Sequence, residues 1–251
     1  RSHIMEVLDP DDVELETTGI FRNGIPWFPR AKPLKMLRIF RSKFNSLEDA
    51  LDERRRLHVV ERYLAPQFMA TSCEFYVDYL LKGEREIVLC GLQEYMEGIE
   101  VDPWVSTDGD YTGELFDGFQ PGADGVLQIG RTDFIRRVKK SAGNFIFRIK
   151  TMISNEGHVP DLAGKGNLLV SAYGDMKLVD INNISKIGRD REIPLDDRGY
   201  PAFDKSIEAL SLLEQKIAGH SIDVDDPTYK ICFAPERVMA VNAMVQSSRF
   251  G

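Results

Sequence analysis

At 251 residues the chain can build one large domain or two lobes around a sizeable core, and 43% apolar content is ordinary for a globular protein. A net charge of −8 argues against a general nucleic-acid or acidic-membrane partner, and no apolar run reaches membrane-spanning length. Cys73, Cys90 and Cys232 stand far apart in apolar runs without zinc spacing; with no secretory signal, buried free thiols and a cytoplasmic location are expected.

Arg1-Ser2-His3-Ile4 reads as a cloning remnant and is left out of the expected fold. Residues 5–33 are acidic first and then turn-rich, and Asn23-Gly24 marks a hairpin. Gly19 and Gly24 serve either a plain turn or a loop over phosphates; no G-x-G-x-x-G is present. Residues 34–41 read as a strand with basic residues at Lys35, Arg38 and Arg41, either a solvated basic face or a phosphate site. Ser46 is the expected N-cap of a helix reaching Tyr63, with Glu48 and Asp49 in its first turn. Leu47, Ala50, Leu51, Leu57 and Val60 lie on or near one side. Glu53 shares that face, where a carboxylate calls for a partner; Arg54, Arg55 and Arg56 offer a surface alternative.

Residues 68–81 and 86–96 read as two long strands joined through Lys82-Gly83-Glu84, the second ending in Gln93-Glu94-Tyr95-Met96. Residues 102–130 form a long connection with one short helix, and Asp108-Gly109-Asp110 within it reads as solvated acidic loop rather than a calcium site. A wide apolar stripe from Phe134 to Ile153 predicts a long buried helix starting at Thr132 or Asp133 and ended by Gly157. Its Arg136-Arg137 and Lys139-Lys140 pairs belong to the solvated face.

Residues 158–182 organise the rest. Asp161 is followed by Gly164-Lys165-Gly166 and Asn167, then by Leu168-Leu169-Val170, a Tyr-Gly-Asp turn, Met176-Lys177-Leu178-Val179 and Asp180. The pattern predicts two short strands closed by a tight hairpin, with Asn167 and Asp180 at its open end. An amide oxygen and a carboxylate held together there suit Mg²⁺, which takes oxygen ligands and accompanies phosphates. Asp161, on the loop before, is placed to orient a hydroxyl. The plain alternative is an ordinary hairpin with surface Asp and Asn residues. Beyond it come a charged, turn-rich run to Arg198, a helix over 203–218, and a last helix opened by Pro235.

Asp161, Asn167 and Asp180, with His158 before them, resemble the catalytic loop and metal-binding segment of the protein-kinase-like fold, H-R-D-L-x-x-x-N followed by D-F-G. The thirteen residues from Asn167 to Asp180 match the family's usual step. The chain departs from the pattern in three places. One extra residue separates Asp161 from Asn167, Val159-Pro160 stands between His and Asp, and Asp180-Ile181-Asn182 replaces D-F-G. These make it similar to an atypical or small-molecule kinase.

The resemblance implies a two-lobed α+β fold, with a small β-rich N-lobe over residues 5–96 and a mainly helical C-lobe over 97–251. It implies ATP and Mg²⁺ as cofactors and γ-phosphoryl transfer to a hydroxyl acceptor, small molecule or protein, with Asp161 catalytic and Asn167 and Asp180 on the metal. Lys165 would reach the γ-phosphate. Arg38 takes the position of the strand lysine, although its planar fork is not equivalent to an ammonium, and Glu53 that of the lysine's partner. The Glu94 carbonyl and Met96 N–H fall in the hinge-like segment that faces the adenine. Ala234-Pro235-Glu236 matches a kinase tripeptide by coincidence, being over fifty residues beyond Asp180. The alternative is a pseudokinase, the same fold used as a nucleotide-binding or interaction module.

Overall fold

Alternating apolar residues in the first third of the chain pair into an antiparallel sheet of order β1-β4-β6-β5. Its strands are β1 (Ser2–Leu8), β4 (Pro33–Phe40), β5 (Ser72–Leu81) and β6 (Glu84–Glu94). The computed structural model describes every residue except 1, 41–43, 45, 82, 107–108, 120–128, 182, 188–191, 197 and 249–251. The protein is α+β, and it comprises two compact units: Arg1–Arg54 with Ala70–Met96, and Arg55–Met69 with Glu97–Gly251.

In the first unit, one sheet face carries Arg38, Phe40, Leu89 and Gln93, all buried, and Tyr76, whose hydroxyl donates to the Ala50 carbonyl of α2 (Leu47–Leu64) at 2.9 Å. Ser46 caps that helix by accepting the Asp49 N–H at 3.1 Å, as its sequence predicts. The other face gathers Leu37, Ile39, Phe75, Val77, Val88 and Cys90 around a hollow of about 350 Å³. Three corrections belong here. The opening residues take part in the fold, because Ser2 to Leu8 pair with Phe40 to Pro33 along the whole length of β4. A helix α1 (Pro10–Thr18) follows, capped by Asp9, where only acidic chain is expected. Cys73 is exposed, because edge strand β5 buries only part of its surface, whereas Cys90 and Cys232 are buried.

The Asn23-Gly24 turn joins β2 (Ile20–Arg22) to β3 (Ile25–Trp27). Both turn residues have positive φ, 51° and 77°, the backbone of a plain two-residue hairpin. Strand β5 begins at Ser72 rather than Phe68. Phe68 and Met69 pair instead with Leu178, Phe68 accepting its N–H at 2.8 Å.

The second unit is built on α4 (Arg131–Glu156), whose buried stripe runs from Phe134 through Phe145 to Ile153 and which Gly157 ends in the left-handed region. Packed around it are α3 (Tyr111–Gly118), α5 (Ala202–Leu213) continued by a π turn over Glu214–Ala218, and α6 (Pro227–Lys230). Asp110 is exposed, as expected of a solvated loop acid, and is also the N-cap of α3, accepting the Gly113 N–H at 2.9 Å; Asp108 lies outside the described residues. Lys150 of α4 meets Glu214 at 2.7 Å and Asp226 at 2.9 Å. Helix α7 (Pro235–Ser248) opens at Pro235 as expected, and its Arg237 forms a buried ion pair with Asp204 of α5. Part of the charged run before Arg198, residues 188–191 and 197, lies outside the described residues, as does Asn182. Among the described residues no helix is long and apolar enough to cross a membrane.

Candidate active site

After β8 (His158–Val159), the chain reverses around Asp161. Its Oδ1 accepts the backbone N–H groups of Ala163 and Gly164, each at 3.0 Å, so the carboxylate ties down the turn that follows it. Gly164 is required there: a Cβ would stand 2.4 Å from Asn167 Nδ2. Gly166 lies at φ +78°, where a side chain would be strained. The reversal buries Asn167, whose Nδ2 donates to the Asp161 carbonyl at 2.7 Å. Lys165, at the tip, is exposed.

The expected hairpin follows as β9 (Leu168–Val170) and β10 (Met176–Leu178), paired Leu168 to Leu178 and Val170 to Met176. The Val179 N–H donates to the Asn167 carbonyl at 2.9 Å, extending the ladder one step and bringing Asp180 to the turn. Helix α4 fixes the hairpin from beneath, with Ser141 Oγ accepting the Met176 N–H at 2.9 Å. Burial pushes the Asp161 carboxyl above its ordinary value. The Ala163 and Gly164 amides oppose that shift, the nearby Asp180 charge adds to it, and a hydrogen bond with the Asn183 side chain opposes it.

Thus Asp161, Asn167 and Asp180 are brought together on one loop-and-hairpin. Their oxygens fit a hard cation. Two carboxylates that crowd each other gain from a positive charge between them, and the Asn167 amide keeps an oxygen beyond its Nδ2 hydrogen bond. Among the described residues no group of three or more His, Cys, Asp and Glu side chains is arranged to hold a metal ion. A metal here would therefore take the remaining ligands from phosphate oxygens and water, the habit of Mg²⁺.

The other sequence-predicted residues belong to the first unit. Arg38 is 2% exposed, donates from Nη1 to Gln93 Oε1 at 2.6 Å, and lies over the Phe40 ring at 5.8 Å. The expectation of a solvated basic strand face fails for Arg38, which points inward, while Lys35, an odd step away, is exposed. Glu53 is half-buried on α2 with Ala50, Leu57 and Val60 buried along the same helix, whereas Leu47 at its start is exposed. Glu94 ends β6 opposite Lys35, with its N–H donating to the Thr71 carbonyl at 2.8 Å; half-buried Met96 follows two residues on.

Sequence reasoning missed the supports. The strip after Met96 runs along the candidate loop: β7 (Ile99–Glu100) pairs with Val170 and Leu169, and the Val101 N–H reaches the Leu168 carbonyl at 2.9 Å. Glu100 Oε1 accepts the Gly166 N–H at 2.7 Å, Trp104 Nε1 donates to the Ala163 carbonyl at 3.0 Å, and Ser206 Oγ accepts the Leu162 N–H at 3.2 Å. Lys205 lies over the Trp104 ring at 4.3 Å and pairs with Glu208. No local pattern announces Glu100. Trp104 carries a faint signal, being one of two tryptophans and set in an otherwise polar connection.

No family model matches the sequence, and no curated protein matches it. Among solved structures the chain is similar to one described as the ROP18 kinase domain in complex with AMP-PNP and sucrose. The two are 10% identical, with 86% of this chain and 74% of that chain covered and a TM-score of 0.33. A likeness at that score decides neither fold nor chemistry, which rest on the chain's own residues.

Proposed function

We propose that the protein is an ATP-dependent phosphotransferase of the protein-kinase-like type, moving the γ-phosphoryl group to a hydroxyl acceptor. The observation that carries this reading is the gathering of Asp161, Asn167 and Asp180 on one braced turn, with the Asp161 carboxyl raised by burial and by the Asp180 charge. Asn167 and Asp180 hold Mg²⁺, which when bound supplies positive charge to the phosphates. Asp161 orients the acceptor hydroxyl and takes its proton; a carboxyl raised above its ordinary value is a stronger base for that step. Lys165, exposed at the tip of the turn, offers its ammonium to the γ-phosphate. In the first unit Arg38 and Glu53 keep the roles of phosphate anchor and partner, and the backbone of Glu94 and Met96 that of base contact. Such catalysis is positioning and electrostatics, for which a rigid turn is the main requirement.

A second reading, a pseudokinase that binds nucleotide or a partner without transfer, is favoured by one observation. Arg38, in the lysine's position, is buried against Phe40 and hydrogen-bonded to Gln93, and no glycine loop precedes it.

The phosphotransferase reading, and the form of the second reading that keeps nucleotide, predict Mg²⁺-dependent nucleotide binding. Binding to the folded state alone stabilises it by about 2.7 kcal/mol at a hundredfold excess over Kd. Thermal melting with ATP or ADP, with and without Mg²⁺, measures this. The stabilisation should need the metal and disappear in Asp180→Ala; no shift in the wild type, or an equal shift in Asp180→Ala, refutes the assignment.

A further inference from the structure

The Gly164-Lys165-Gly166 turn contains the residue by which this chain exceeds the family pattern, and an inserted residue between Asp161 and Asn167 has to be accommodated somewhere. At the turn, the backbone N–H of Gly166 has a single acceptor, Glu100 Oε1 at 2.7 Å. Glu100 is itself held by β7, where it pairs with Leu169 while Ile99 pairs with Val170. Close approach secures that pairing, because a Cβ on Gly98 would stand 2.6 Å from the Val170 carbonyl oxygen. Four residues on, Trp104 donates to the Ala163 carbonyl at 3.0 Å. Trp104 is fixed in turn: its backbone N–H donates to Asp102 Oδ1 at 2.8 Å, and Lys216 Nζ donates to the Pro103 and Val105 carbonyls at 2.7 Å each. The strip from Gly98 to Val105 therefore grips the candidate loop at both ends of the inserted turn.

We propose that Glu100 is a positioning residue, with Trp104 as its counterpart at the other end of the turn. Together they fix the Gly164-Lys165-Gly166 backbone and so set where the Lys165 ammonium and the Asn167 amide are presented to the phosphates. The chemical reason is the acceptor. An amide at a left-handed glycine faces away from the ladder, and a side-chain oxygen held on β7 gives it a fixed acceptor where water would be a transient one, the carboxylate's charge only adding to the bond. The phosphate-positioning consequence rests on the phosphotransferase reading above; the grip itself does not.

Three variants test it in the full chain. Glu100→Ala removes the acceptor, Glu100→Gln keeps an oxygen at the same reach without the charge, and Trp104→Phe removes only the indole N–H. Hydrogen exchange of the Gly166 amide, read in the peptide spanning 162–168, should quicken about tenfold or more in Glu100→Ala and recover most of its protection in Glu100→Gln. Trp104→Phe should loosen the same peptide to a smaller extent. In γ-phosphate transfer from ATP, Glu100→Ala should lower kcat with the KM for ATP little changed, and Glu100→Gln should restore it. Unchanged exchange in Glu100→Ala, or Glu100→Gln as loose as Glu100→Ala, overturns the positioning role. If wild type binds no nucleotide and transfers no phosphate while the exchange pattern holds, the grip stands and the phosphotransferase reading falls. If Glu100→Ala does not fold, the contrast of Glu100→Gln and Trp104→Phe with wild type decides by the same exchange measurement.

Discussion

Asp161 does two things that pull in opposite directions. Its Oδ1 holds the Ala163 and Gly164 amides, while burial and the Asp180 charge make its ionised form costly and raise its pKa. With a folded-state pKa above the unfolded one, the native protein binds the proton more readily, so stability falls as pH rises from the ordinary Asp value of 3.8 through the raised value, and the loss is complete above it. Asparagine at 161 offers the same two amides an oxygen without the charge. Without metal or nucleotide, Asp161→Asn should therefore melt higher than wild type at neutral pH, and the gap should shrink as pH is lowered towards the ordinary Asp range. A wild type that melts above Asp161→Asn at pH 7 would mean that the ionised carboxylate is net favourable there. Asp161, Asn167 and Asp180 were legible as a group because each sits at a strand end or turn that the local pattern fixes. Gln93, Glu100 and Ser206 were not, because their partners come from register and tertiary packing between segments distant in sequence.

Elements with strong local signals form where the sequence places them. The Ser46 cap, the Phe134 to Ile153 stripe with its Gly157 stop, the hairpin β9–β10 and Pro235 at the start of α7 all follow from patterns within a few turns of chain. Strand β1 begins in residues that resemble a cloning remnant, and its register with β4 has no local signature. The sequence places the start of β5 too early, because Phe68 and Met69 are as apolar as any strand, yet their backbone pairs with Leu178. What holds the hairpin to α4 is specific: the Met176 N–H ends on Ser141 Oγ at 2.9 Å, and a Cβ on Gly174 would stand 3.0 Å from Arg137 Cβ. Ser141→Ala leaves that N–H without its acceptor beside a fully buried side chain, a loss of about 1–3 kcal/mol. Ser154→Ala, exposed on the same helix, should stay within about 0.5 kcal/mol of wild type. Urea unfolding of the two variants checks this, and equal midpoints would mean that Ser141 does not anchor the hairpin.

At the scale of the molecule the protein is α+β, as the resemblance implies, while no local pattern marks the division within α2, one uninterrupted 18-residue helix whose residues from Arg55 onward belong with the second unit. Within the proposed function, the question left is whether the protein transfers phosphate or acts without transfer. Asp161 separates these, because in the proposed site the metal falls to Asn167 and Asp180 while Asp161 serves the acceptor. Asp161→Asn keeps the side chain's shape and an oxygen for the Ala163 and Gly164 amides but removes the base. A phosphotransferase should then keep its Mg²⁺-nucleotide stabilisation while losing about 10²–10⁴ in transfer rate, the usual share of a positioned acid or base. The measurement is γ-phosphate loss from ATP against a panel of small hydroxyl compounds and protein side chains, the chain's own included. A panel without the true acceptor still leaves slow transfer to water, which the same carboxylate would assist. ATP turnover identical in wild type and Asp161→Asn, with binding intact in both, would leave Asp161 as the residue that ties the turn and make the protein a non-catalytic nucleotide-binding module.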